Sequence, residues 1–290
     1  MPPAKGGTFF GVLNMRGIDW EKEWAIARLK LPHNAQKIND ERWERYWDNA
    51  SGDYRRQTGI NIGLCKDIIR YLMHDEKLRR GDTVLDIGCG PGTYTLLFAE
   101  VAKMVSGLDM SAEMLDRLRL NAEQKGVTNI LAIRSKWADY IPDERYDLVF
   151  SAFCPGVNDP MALQKMEKCS RRSCCYVSIG DGKSPQPLYQ LWEKLTGDHF
   201  SNEGYDVIYP LNVLLESNRN ANVRYFTANI DVSMPSSKVV DNYITYFGMF
   251  MDIDDKKKRI INEFVSERSE RDIYRIKSTR IIGIVSWNVL

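Results

Sequence analysis

The chain has 290 residues, 40 Lys+Arg against 39 Asp+Glu for a formal charge of +1, 43% hydrophobic residues and 27% charged ones. Those values disfavour a wholly disordered chain, a collagen-like repeat and a polytopic membrane protein, and they suit a soluble globular protein with a large core. Near neutrality also argues against a nucleic-acid partner, because the chain lacks the global positive field that phosphate backbones reward; a local basic patch stays compatible with it.

Residues Met1 to Arg16 hold one short apolar patch, broken by Gly11 and Asn14, and no clear small-residue cleavage site, which makes a poor signal peptide. Six cysteines without a CxxC pair and three scattered histidines argue against a structural zinc site or a disulfide framework. With no run of roughly 18 apolar residues, a cytoplasmic protein with no membrane partner and no metal is expected.

Residues 1–58 read as a helical lid segment rich in Trp and charge. Ile18–Leu31 is a predicted helix, with Trp20, Trp24, Ala27 and Leu31 on one face and Pro32 beyond it. A second helix, Ile38–Trp47, puts Trp43 and Trp47 four apart, and Ala50-Ser51-Gly52-Asp53 breaks it. Residues 60–75 form a third, with Ile60, Leu64, Ile68, Ile69 and Leu72 on its apolar side.

From Thr83 short apolar strands alternate with helices. Val84–Ile87, Val105–Leu108, Asn129–Ile133, Asp147–Ser151 and Cys174–Ile179 are the predicted strands. The intervening helices cover Thr93–Ala102, a segment capped by Ser111 and running to Lys125, and Met161–Ser170. Such alternation implies a parallel sheet with helices on both faces. Beyond Gly182, helices are expected at Pro187–Leu195, Val239–Met251 and Asp255–Glu267, and strands at Val223–Val232, Tyr274–Ile276 and Ile281–Trp287. The fold class is therefore α/β: a Rossmann-like, mostly parallel, seven-stranded sheet with an N-terminal helical lid and a helical insertion before the last strand. Residues 59–290 form the main domain, with a ligand-binding half at 80–182 and a part at 183–290 that completes the sheet.

The informative segment is Val84-Leu85-Asp86-Ile87-Gly88-Cys89-Gly90-Pro91-Gly92-Thr93. A glycine-rich turn after the first parallel strand lets a ligand approach the backbone closely. A nicotinamide fingerprint would need a glycine where Thr93 stands. The second strand ends at Asp109, 23 residues after Asp86, about where a carboxylate can take both ribose hydroxyls of an adenosine. Together these features point to an adenosine ligand without a required pyrophosphate.

At Leu85–Gly92, at Gly107-Leu108-Asp109-Met110-Ser111-Ala112-Glu113-Met114-Leu115 and at Tyr146-Asp147-Leu148-Val149, the sequence resembles the class I S-adenosylmethionine-dependent methyltransferases, over roughly residues 60 to 182. The resemblance implies that Gly88, Gly90 and Gly92 line the methionine part of the cofactor, with Cys89 inside the same turn. It implies that Asp86 helps to hold the cofactor's amino group, that Asp109 takes the ribose and that Met110 lies on the adenine face. Where the family usually places an acidic residue for the adenine amino group this chain has Lys136, followed by Trp137. Trp137 then reads equally as an adenine wall and as a core residue, with Asp139 nearby. Ser151, ending the fourth strand, and Tyr54, just after the lid helices, complete the candidate set. S-adenosylhomocysteine would be the product.

On the acceptor side, Ser151-Ala152-Phe153-Cys154-Pro155-Gly156 lacks the Asn/Asp-Pro-Pro-aromatic box of enzymes acting on amino groups of bases or amides. It also lacks the Pro-Cys order of those that attack cytosine C5. Cys154 could face the methyl group, although a loop cysteine without a neighbouring His or cations is more often inert. His199 and Tyr205 could serve as a base if one is needed, solvated loop residues being the plainer reading. Trp43 and Trp47 read first as a packed pair and second as ring faces for a sulfonium. Lys256–Arg259 is offset by Asp252, Asp254 and Asp255, while Lys77, Arg79, Arg80, Arg171 and Arg172 fall on the far end of the sheet. The expected function is methyl transfer to a small-molecule acceptor. An RNA- or protein-modifying methyltransferase and a non-catalytic cofactor-binding subunit are the alternatives. The oligomeric state is open, a homodimer included.

Overall fold

A computed structural model describes residues 17–32, 40–51, 61–180 and 187–289. Three helices come first: α1 (Trp20–Leu29), α2 (Asp40–Ala50) and α3 (Ile62–His74). Then follow β1 (Thr83–Ile87), α4 (Thr95–Phe98), β2 (Met104–Asp109), α5 (Ala112–Gln124), β3 (Ile130–Arg134), β4 (Tyr146–Ala152), α6 (Pro160–Cys169) and β5 (Ser170–Ile179). The remainder is α7 (Pro187–Thr196), a 3-10 turn at Glu203–Tyr205, α8 (Ile208–Glu216), β6 (Asn222–Pro235), α9 (Ser236–Gly248), α10 (Asp255–Ser266), β7 (Ser269–Glu270) and β8 (Ile273–Asn288).

The sheet runs β3-β2-β1-β4-β5-β8-β6. Its first five strands are mutually parallel, and β8 is antiparallel to both β5 and β6. The two-residue β7 pairs only with β8 and adds an eighth strand to the expected seven. Period-2 alternation distributes the strand side chains between two cores. Leu85, Ile87, Val149, Cys174, Tyr176, Val285 and Trp287 face the side covered by α1, α6 and α8. Val84, Leu148, Phe150, Cys175, Val177, Ile282 and Ile284 face α3 and α4. α1 is anchored on the first side by Trp24, fully buried, whose indole Nε1 donates to the Gly204 carbonyl at 2.9 Å.

Four expectations are revised. The predicted Tyr274–Ile276 and Ile281–Trp287 are one 16-residue strand, β8. Its polar middle, Lys277 to Arg280, pairs with β6 alone, so both faces of that ribbon can carry polar side chains. α8 is an element that periodicity alone does not announce, because Pro210 sits in its apolar run. Pro210 is the third residue of the helix, where no intrahelical donor is required. The Thr93–Ala102 helix is shortened to Thr95–Phe98 with turns around it. The second lid helix continues to Ala50.

β6 and β8 run on past the main sheet and carry α9 and α10 between them. That extension has its own core, in which Trp192 of α7 meets Tyr243, Phe247, Phe250, Phe264 and Tyr274. α2 reaches it through Trp43 and Tyr46, the Tyr46 ring lying edge-on to Tyr246 at 5.9 Å. Among the described residues no helix is long and apolar enough to cross a membrane.

Candidate functional site

The parallel strand order reverses at β1, between β2 and β4, where an open α/β sheet leaves a crevice at its carboxyl end. A cavity of about 380 Å³ occupies that place, walled by residues that follow β1, β2, β3 and β4. The turn after β1 begins with the Gly88 and Cys89 amides donating to the Leu108 carbonyl at 2.8 and 3.0 Å. Gly88 has φ +69°, and a Cβ there would stand 2.6 Å from the Cys154 sulfur. Gly92 has φ +89° and would place a Cβ 2.3 Å from a Leu118 methyl, so its hydrogen is what lets α5 pack against the turn. Gly88 and Gly90 line the cavity; Gly92 and Cys89 shape the turn from behind, Cys89 packing with Leu115 and Leu118.

Asp109 ends β2 with its carboxylate already oriented. One oxygen accepts from the Gly90 amide and the other from the Ser111 amide, both at 2.9 Å. A carboxylate offers about four lone-pair sites, so it keeps acceptor capacity beyond these backbone bonds. Burial raises the Asp109 pKa, with those amides opposing the rise. Asp86 lies beneath the turn, almost fully buried, and accepts a 2.6 Å hydrogen bond from the Thr95 hydroxyl. Desolvation pushes its carboxyl up to about 7, only partly offset by Thr95. Asp86 is not among the residues that line the cavity.

At the end of the cavity beyond β2 and β3, Met110, Ser135, Lys136, Trp137 and Ala138 line the wall. Trp137 belongs to the main core and also faces the cavity. The Lys165 ammonium lies 4.8 Å from its ring centroid and donates to the Trp137 carbonyl and, at 2.8 Å, to that of Ala138. Asp139 is exposed and lies off this wall. Ser151 is fully buried below the cavity, beside Ile87 in the sheet, and its hydroxyl has no partner among the described residues. Tyr54 lies outside the described residues.

Beside the cofactor-sized cavity is a second chamber of about 210 Å³, and Trp43, Trp47, Phe153, Cys154 and Pro155 belong to both. Six aromatic residues help to close it: Tyr46 from α2, Tyr176 from β5, Phe200 and Tyr205 from the connection before α8, and Tyr246 and Phe250 from the extension, with Ser178, Ser201 and Asn202 as polar neighbours. Trp43 and Trp47 pack on each other with ring centroids 5.8 Å apart and also wall both spaces. Phe153 has φ +52°, a costly backbone for an aromatic residue that recurs at binding sites. Its amide still donates to Val177 at 2.9 Å, so the turn keeps β4 against β5 while the ring borders both spaces.

The candidate nucleophile and bases separate clearly. Burial, with Asp109 and Asp86 nearby, pushes the Cys154 thiol up to about 12, so it is no thiolate at neutral pH. His199 is exposed and paired with Glu193 at 2.8 Å, away from both spaces. Tyr205 does border the chamber, but burial raises its pKa above the ordinary phenol range. Residues that the motifs did not single out also line the cavity, among them Arg28 and Asn158. Arg28 reaches it from α1, a placement that only long-range packing reveals.

Comparison with known proteins accords with this geometry. A family model described as "Methyltransferase domain" matches residues 78–193. A protein-L-isoaspartate O-methyltransferase of Methanoculleus marisnigri is 31% identical over 160 residues, 52% of this chain and 68% of that protein. A tRNA (guanine(10)-N2)-dimethyltransferase of Methanothermobacter thermautotrophicus is 24% identical over 196 residues, 63% of this chain and 57% of that protein. Against two further curated relatives the chain spans only 38% and 37% of their length. Among solved structures, magnesium protoporphyrin IX methyltransferase from Synechocystis PCC 6803 aligns over 92% of this chain and 99% of that one, with 15% identity and a TM-score of 0.48. By its glycine turn, the carboxylate that ends its second strand and its relatives, the chain belongs to the class I S-adenosylmethionine-dependent methyltransferases.

Proposed function

We propose that this chain transfers a methyl group from S-adenosylmethionine to a small-molecule acceptor. The observation that carries this reading is the 210 Å³ aromatic chamber that meets the cofactor cavity at Trp43, Trp47, Phe153, Cys154 and Pro155. When bound, the cofactor supplies an electrophilic methyl on a positively charged sulfur. The chain's part is to bind, orient and dry the site. Asp109 would hold the ribose, Asp86 the amino group, and Met110 and Trp137 the adenine. The rings of α2 would cover the reacting end, so that positioning and exclusion of water supply much of the acceleration.

Relatives named for tRNA and protein substrates keep a polymer acceptor as the competing reading. The charge layout favours the small molecule. Arg28 pairs with Asp159 at 3.4 Å and Arg134 with Glu44 at 2.6 Å near the cavity, and at the opposite end of the sheet Arg172 pairs with Asp82 and Arg171 with Asp147. The test is to incubate the protein with methyl-labelled cofactor and a cell extract separated into small-molecule, RNA and protein fractions. Label is expected in the small-molecule fraction. Label confined to RNA or protein would refute the reading.

A further inference from the structure

We propose that the aromatic chamber takes a neutral, flat nitrogen base and holds the cation formed when that nitrogen is methylated. The inference rests on the small-molecule reading above and adds the acceptor's chemical class. Among the described residues that line the chamber, none is Asp, Glu, Lys, Arg or His. Its walls instead present the rings of Trp43, Tyr46, Trp47, Tyr176, Tyr205 and Tyr246. An anionic acceptor would shed its hydration there with no cation among the described lining residues, the neighbouring Arg28 being paired with Asp159. A neutral base has little charge to desolvate, and ring faces attract the positive charge that then appears on it.

The hydroxyls suit the same ligand. Burial pushes the Tyr46 and Tyr176 phenols up to about 12 and raises those of Tyr205 and Tyr246 as well, so all four remain protonated at neutral pH. Among the described residues the chamber thus holds no phenolate base. A nitrogen that bears no proton needs none. Its lone pair forms the new C–N bond as the methyl C–S bond breaks, and the C–S electron pair stays on sulfur. Positive charge passes from sulfur to nitrogen, and no proton is released.

Calorimetry on the full chain saturated with S-adenosylhomocysteine tests this without turnover. The probes are quinoline, N-methylquinolinium and 1-naphthoate at pH 8, three flat bicycles of similar shape that are neutral, cationic and anionic. N-methylquinolinium and quinoline are expected to bind at least about tenfold more tightly than naphthoate, and Tyr246→Leu and Tyr205→Leu should each weaken the cation more than the neutral base. Naphthoate binding as well as or better than the other two overturns the proposal alone. Failure of S-adenosylhomocysteine itself to bind overturns the methyltransferase reading and this proposal with it.

Discussion

The Ser111 hydroxyl donates to the Asp48 carboxylate at 2.5 Å while its oxygen accepts from the Met114 amide at 3.1 Å. One side chain therefore both caps α5, the helix after β2, and ties α2 down beside the cavity. Glu44, one helical turn before Asp48, pairs with Arg134 at 2.6 Å, and Arg42 pairs with Asp252 of the C-terminal extension at 3.4 Å. On the rest of α2, Trp43, Tyr46, Trp47 and Ala50 recur at spacings of three, one and three, which places them on one apolar stripe. The helix is thus tethered by charge and aimed by its rings.

The two roles of Ser111 separate by mutation. Asp48→Asn keeps the cap and weakens only the tether, a loss of about 1 kcal/mol. It should reduce S-adenosylhomocysteine affinity by several-fold and leave the melting temperature nearly unchanged. Ser111→Ala loses both, and its thermal unfolding should show a further destabilisation of about 1 kcal/mol from the missing cap. Equal stability loss in both variants would show that the tether supports the fold and not the ligand.

Asp86 predicts a pH dependence whose sign follows from its raised pKa. The folded protein holds this proton up to about pH 7, whereas an unfolded aspartate loses it near 3.9. Between those values the native state binds more protons than the unfolded one. The contribution of Asp86 to stability therefore falls as pH rises through that window and levels off above about 7. A cofactor ammonium favours the ionised form, so binding at pH 6 should release close to one proton. Calorimetry in buffers of different ionisation enthalpy measures that release. Asp86→Asn should abolish it and flatten this part of the stability profile. An unchanged proton count in the variant would assign the release elsewhere.

Gly88 and Cys154 form a second coupled pair. Gly88→Ala places a methyl 2.6 Å from the Cys154 sulfur and 2.7 Å from its Cβ, at φ +69°. The combined clash and backbone strain should cost about 3 kcal/mol in denaturant unfolding. Cys154→Gly in the same chain removes both contacts but not the left-handed backbone, so it should recover only part of that loss. A double-mutant cycle with no coupling would mean that the turn relaxes away from Cys154.

The cofactor half was readable because its determinants are local. Leu85 to Gly92 is a strand, a turn and a helix approach within a few residues, Asp109 follows at the end of the next strand, and Ser111 caps α5 as its type and position predict. What escaped reading depends on distant pairing. Arg28 reaches the cavity only because α1 packs against elements far along the chain, and the chamber beside Trp43 and Trp47 is likewise closed by distant residues. β8 looked interrupted because Lys277 to Arg280 is polar, and only its pairing with β6 shows one continuous strand. Chemical types at Phe153 and Tyr205 could be read; the positive φ of the one and the ring-lined setting of the other could not.

Arg28 offers the sharpest test of that long-range contribution. It lines the cavity together with Gly88 and Asn158, and its partner Asp159 is the cap of α6, accepting from the Ala162 amide at 2.7 Å. Asp159 thereby holds the guanidinium from one side without consuming all of its donors. A cofactor carboxylate would be a natural further acceptor, because an arginine fork matches it. Arg28→Ala should weaken S-adenosylhomocysteine roughly tenfold or more, the loss of a hydrogen bond between charged groups. The same variant should bind 5′-methylthioadenosine, which lacks both the amino and carboxylate groups, as well as the unaltered chain does. Parallel losses for the two ligands would place Arg28 in the packing of α1 and not on the cofactor. Because α1 is anchored by Trp24 and Ala27 and not by Arg28, the variant should fold, and a melting curve beside each titration checks that it has.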